Sequence, residues 1–125
     1  MTARPARVVL VEDNDIFRET LELLLALRTE VTVVGSAASG HEAVELCTRL
    51  EPDVVLVDYR MPGMNGAETT RAVLSATPGT SVICLTASVA ADEIDELLAA
   101  GAVACITKDQ AFDMIVRAVC EAAVA

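Results

Sequence analysis

No stretch of this chain stays apolar for the roughly 20 residues that a bilayer crossing needs, and its first residues, MTARPAR, hold no apolar leader segment. Neither a membrane span nor a secretory start is expected, and the chain reads as soluble and cytoplasmic. Positive charge is scarce too: 9 Lys and Arg stand against 19 Asp and Glu, a formal net charge of −10. Nucleic acid and anionic membranes are gripped by clustered Lys and Arg that release counterions, so neither is an expected partner of this domain. A basic partner or a bound cation suits it better. Cys47, Cys84, Cys105 and Cys120 show no CxxC spacing, which speaks against zinc and for reduced thiols acting as small hydrophobes. His41, in SGHEAVEL, has no second histidine four residues on, so it reads as a solvated helix-start residue rather than a ligand.

Apolar residues are plentiful, at 54% of 125 residues, enough for one core and too short a chain for two. Residues 1–125 are read as a single domain with 1–6 as a short N-terminal tail. Short β-branched runs recur at Val8–Val11, Val31–Val34, Val54–Val57, Val82–Leu85 and Val103–Thr107, and segments with helical spacing lie between them. Phe17, Leu21, Leu24 and Leu25 mark one helical face; Ala43, Val44, Leu46, Cys47 and Leu50 mark another. Asn65 and Glu68 have the spacing of a capping box, and Gly101 is placed to end a helix. Leu23, Leu27 and Met114 fall off the apolar faces and read either as ordinary exposed residues or as a homodimer surface.

Five strands alternating with five helices predict an α/β fold, a doubly wound (βα)5 flavodoxin-like parallel sheet covered on both faces. The two VVLV runs are continuously apolar, as central strands must be, whereas VTVV and VACIT carry the polar interruptions of edges. Strand order 2-1-3-4-5 satisfies both, with its topological switch point between the first and third strands.

Ligands of such sheets bind beyond the carboxyl ends of the strands. There the sequence puts Glu12 and Asp13, with Asp15 nearby, then Asp58, Thr86 and Lys108, each set after its own strand. Crowded carboxylates repel by roughly 4 kcal/mol per pair at about 4 Å and an effective dielectric near 20, so the cluster calls for a cation. Hard oxygen donors around an open crevice suit Mg2+. Lys108 and the Thr86 hydroxyl could then bind an anionic oxygen, which makes Asp58 a candidate carboxylate nucleophile for a phosphoryl group. Its bland role would be a helix cap or a solvated strand end. Asp92, Glu93, Asp95 and Glu96 read as the solvated acidic face of the fourth helix, and Tyr59 either as plain packing or as a cover for the site.

These motifs, VLVEDN, VDYRMPGMNG, LTA and GAVACITK, resemble those of the receiver domain of bacterial two-component response regulators from about Arg7 to the last helix. VVGSAASGHEAVEL and TKD are most similar to the NarL/FixJ-like subgroup, which usually carries a helix-turn-helix, DNA-binding effector. The resemblance implies that Asp58 accepts phosphate from a sensor histidine kinase. It also implies that Asp13, Asp58 and the backbone carbonyl of Arg60 coordinate Mg2+, with Glu12 assisting through water, and that Thr86 and Lys108 bind the phosphoryl oxygens. Such a domain is a signalling switch and not an enzyme beyond its own phosphorylation and dephosphorylation, whose rate the Arg60 and Ser88 positions tune.

One position departs from the family: Cys105 stands where a strand-five Tyr or Phe is common, which suggests intact chemistry with atypical switching, or a pseudo-receiver interaction module. A haloacid dehalogenase-type phosphohydrolase would need an aspartate two residues after the nucleophile, where this chain has Arg60. A flavin or dinucleotide carrier would need a glycine-rich loop after the first strand, and EDNDIF has none.

Overall fold

A computed structural model describes residues 4–87 and 90–124. The elements alternate strictly: β1 Ala6–Val11, α1 Asp15–Ala26, β2 Val31–Ala37, α2 Gly40–Leu50, β3 Val54–Val57, α3 Gly66–Ala76, β4 Ser81–Thr86, α4 Ala91–Ala100, β5 Ala104–Thr107 and α5 Phe112–Ala123. Every strand pair is parallel, and the sheet order is β2-β1-β3-β4-β5, as the strand composition predicts.

Side chains alternate across the pleat and split the core in two. Val8 and Leu10 of β1 and Leu56 of β3 pack with Leu21 and Leu25 of α1 and with Ile115, Val116 and Val119 of α5. Val9, Val11, Val55 and Val57 face the other way, onto Ala43 and Cys47 of α2 and Val73 of α3. A smaller cluster under α4 joins Tyr59, Ala67, Cys84, Leu97 and Ala102. Continuous valine runs are the consequence: β1 and β3 have no face turned to water.

α1, α2 and α3 start where short polar side chains can take up free N–H groups. The Asn14 and Ser39 side chains accept from the N–H groups of Phe17 and Glu42. Asn65 and Glu68 form the expected capping box, each side chain accepting from the other's N–H. Gly101 ends α4 in the left-handed region at φ 113°, where a Cβ would be strained.

Two strand boundaries differ from the sequence reading by more than one residue. β2 runs on through Gly35, Ser36 and Ala37, poor strand formers that pair with Val9, Leu10 and Val11 after an irregularity between Val8 and Val9. β1 begins at Ala6, inside the expected tail, because the Ala6 N–H bonds the Glu30 carbonyl at 2.9 Å. Leu24 is 40% exposed rather than packed. Leu23, Leu27, Met114 and His41 are exposed as expected, and the thiols are free, Cys47 and Cys84 buried and Cys105 and Cys120 partly so.

Candidate functional site

The sheet's hydrogen bonding continues one residue past the strands and fixes the site. The Glu12 N–H donates to Ala37, the Asp58 N–H to Val11 and the Lys108 N–H to Thr86, at 3.0, 3.0 and 2.7 Å. Their side chains therefore leave the sheet from anchored backbone at its carboxyl edge. Glu12, Asp13 and Asp58 each offer a carboxylate oxygen within 4.8 Å of the others. Glu12 and Asp58 are buried and Asp13 is exposed, which leaves the cluster open on one side. Thr86, also buried, ends β4, the strand between those that lead to Asp58 and Lys108.

Lys108 supplies the cationic side of the cluster. Its ammonium donates to Glu12 Oε1 at 2.5 Å and lies 3.5 Å from Asp58 Oδ2. The Phe17 ring holds it from another side, 4.2 Å from ammonium to ring centroid. The other Glu12 oxygen accepts from the Asn14 N–H at 3.1 Å, and the Arg18 guanidinium bonds the Glu12 carbonyl and Asp15. Burial pushes the Glu12 carboxyl above its ordinary range, against the pull of its hydrogen bond to Lys108. Three carboxylates gathered beside one ammonium, with one side open, offer the hard oxygen donors that fit a divalent cation such as Mg2+.

The loop after Asp58 is clamped at its far end. The Gly66 N–H bonds the Tyr59 carbonyl at 2.7 Å, and a Cβ on Gly66 would fall 2.7 Å from Tyr59 Cα and 2.8 Å from the Asp58 carbonyl oxygen. Only glycine lets α3 begin so close to the backbone that carries Asp58. The Tyr59 ring is buried, and its hydroxyl donates to Glu96 at 3.0 Å. The Arg60 guanidinium reaches Glu93 at 3.0 Å.

The sheet edge thus brings Glu12, Asp13, Asp58 and Lys108 together, with Thr86 at the end of the intervening strand. The Arg60 side chain turns to α4 instead, and Ser88 lies outside the described residues. The acidic face of α4 needs correcting: Asp92 and Asp95 are exposed, but Glu93 and Glu96 are half-buried and turned onto the Asp58 loop. Phe17 and Arg18 are further site neighbours. Phe17 has the sequence signature of a core position only, and nothing in the spacing of Arg18 marks its carbonyl contact.

Against known proteins, the family model of the response regulator receiver domain matches residues 8–120. The chain belongs to this receiver family. Transcriptional regulatory protein LnrK of Bacillus subtilis is 42% identical over 113 residues, 90% of this chain and 51% of that protein. The nitrate/nitrite response regulator NarL of Escherichia coli K12 is 30% identical over 119 residues, 95% of this chain and 55% of that protein. Among solved structures, the signal receiver domain of NarL from Mycobacterium tuberculosis superposes with a TM-score of 0.92 at 38% identity, covering 98% of this chain and 99% of that one. The chain spans about half the length of the curated relatives it matches. Membership makes it a signalling domain of two-component systems, of the NarL-like kind and with the receiver fold.

Proposed function

We propose that Asp58 accepts a phosphoryl group from the phosphohistidine of a sensor histidine kinase, and that the protein works in the cytoplasm. An Asp58 carboxylate oxygen attacks phosphorus; the O–P bond forms as the P–N bond breaks, and the imidazole nitrogen leaves with the electron pair. Lys108, 3.5 Å from Asp58 Oδ2, exchanges its bond to Glu12 for the incoming phosphoryl oxygens. The Thr86 hydroxyl donates to the same group. Asp13, Asp58 and the Arg60 carbonyl would hold Mg2+, with Glu12 assisting through water. When bound, the ion supplies positive charge against the phosphoryl oxygens.

The observation that carries this reading is the convergence of Glu12, Asp13 and Asp58 within 4.8 Å, beside the Lys108 ammonium. Because the relatives are transcriptional regulators about twice this length, a DNA-binding effector following the domain is part of the proposal. Incubation with acetyl phosphate and Mg2+ should add one phosphoryl group to the wild type by intact mass and none to Asp58→Asn. Equal labelling of both would refute it.

Cys105 supports a second reading, in which either the readout of phosphorylation or phosphorylation itself is altered. It sits partly buried in β5, beside Cys84 in register, where the family commonly carries an aromatic. Here phosphorylation is read out by another route or the domain acts as a pseudo-receiver. Failure of both acetyl phosphate and beryllofluoride to modify the wild type would favour the pseudo-receiver.

A further inference from the structure

α4 is charged in one sense only. Its sequence, ADEIDELLAA, holds four carboxylates and no cation, and Leu97 is its one fully buried residue among those described. Its N-cap is Ala90, which has no side-chain acceptor to offer. What caps the first turn is Glu93, whose Oε1 accepts from the Ala90 N–H at 3.1 Å. The same oxygen accepts from Arg60 at 3.0 Å. One carboxylate oxygen therefore closes the start of α4 and ties it to the loop that follows Asp58.

The tie is built to be exchanged. The Glu93 side chain is 15% exposed and fixed in place, while Arg60 is 62% exposed, held on its inner side by the Tyr59 ring at 5.9 Å. Arg60 lies two residues after Asp58, so a phosphoryl group there would compete for its guanidinium. Such a group carries about −1.5 to −2 charges and accepts paired N–H bonds better than a single carboxylate oxygen does.

We propose that Arg60 is shared between two rival anions, the group on Asp58 and Glu93, so that phosphorylation draws Arg60 off Glu93 and loosens the first turn of α4. This rests on Asp58 being the phosphoacceptor. The released Glu93 is left beside Glu96, its i+3 neighbour on the same helix face, without its cation, and the Ala90 cap weakens. With Cys105 in place of the common aromatic, the Tyr59 and Arg60 contacts give α4 a direct link to the acceptor loop that bypasses β5.

Hydrogen exchange of the α4 amides, read by mass spectrometry or NMR on this chain, tests the exchange of partners. Mg2+ with beryllofluoride stands in for the phosphoryl group, and fluorine NMR reports its binding. In the wild type, beryllofluoride should speed exchange at residues 91–94 about fivefold, the factor a typical N-cap is worth. Arg60→Ala should show that speed already in the free state and gain nothing further. Glu93→Gln keeps an oxygen for the Ala90 N–H while removing the charge that attracts Arg60, so it should lose the response. Bound beryllofluoride with unchanged exchange at 91–94 in the wild type would overturn the proposal, as would a full response in Arg60→Ala. If fluorine NMR shows no binding, the phosphoacceptor reading falls and the competition with it. Unchanged free-state exchange in Arg60→Ala would refute the tie whatever happens at Asp58.

Discussion

The Lys108 ammonium stands 3.5 Å from Asp58, held short of it by Glu12 at 2.5 Å. In the unphosphorylated state, then, the lysine neutralises the buried glutamate first. Removing one partner of such a pair strands the other, which costs more than removing both. Lys108→Met should lower stability by about 3 kcal/mol in urea denaturation, and adding Glu12→Gln should restore most of it. Losses that simply add would mean that the two side chains are not coupled.

Asp13 is the exposed member of the carboxylate cluster. Its substitution relieves repulsion without emptying a buried position. Without metal, Asp13→Asn should be more stable than the wild type by about 1 kcal/mol, the scale of charge repulsion near water. Its Mg2+ affinity should fall at the same time. A variant that is less stable in chelator would contradict the repulsion.

Gly66 has no room for a side chain, because backbone atoms of Tyr59 and Asp58 lie within 3 Å of where its Cβ would stand. Overpacking against atoms that cannot turn aside costs about 1–3 kcal/mol. Gly66→Ala should show that loss together with slower phosphorylation, since the loop carrying Asp58 must shift. Gly79→Ala is the control: a Cβ there meets nothing within 4 Å, and stability should hardly change.

Tyr59 is the chain's single tyrosine, and there is no tryptophan, so near-ultraviolet absorbance in an alkaline titration, at wavelengths beyond the thiolate band of the four cysteines, reports this phenol alone. Burial and the hydrogen bond to Glu96 push it above its ordinary value of 10.0. Folded chain should therefore ionise above pH 10, and Glu96→Gln should move the midpoint down. The sign for stability follows: the folded state holds the proton more tightly, so this contribution is complete below pH 10 and is lost as pH rises through the folded midpoint. A midpoint at or below 10 in the folded wild type would contradict the contact.

Much of the fold is legible in β1 and β3, whose VVLV runs must be buried on both faces and so must lie at the centre. The polar breaks in β2 and β5 send those strands to the edges. The far half of β2 is not legible, because Gly35, Ser36 and Ala37 are held by pairing with β1 rather than by their own preference for extended backbone. Glu12, Asp13, Asp58, Thr86 and Lys108 can be gathered from sequence because each ends or follows a strand, and parallel strands bring such ends to one edge. Glu93 and Glu96 cannot. Whether a helical carboxylate faces water or a neighbouring loop depends on how the helix is rotated over the sheet, and of Ile94, Leu97 and Leu98 in α4 only Leu97 is buried, a choice the sequence does not announce. Phe17 escapes for the same reason: an aromatic at a core position does not declare the ammonium resting on its ring.

The most direct test asks where the phosphoryl group goes. After treatment with acetyl phosphate and Mg2+, an acyl phosphate can be trapped by borohydride reduction and located by peptide mapping. Reduction should convert Asp58 alone, in the peptide that contains VDYRMPGMNG, and should leave Asp13 and Glu12 untouched. Reduced product at Asp13 or Glu12, or none at Asp58 in a sample whose intact mass carries the phosphoryl group, would contradict the assignment of Asp58 as the acceptor.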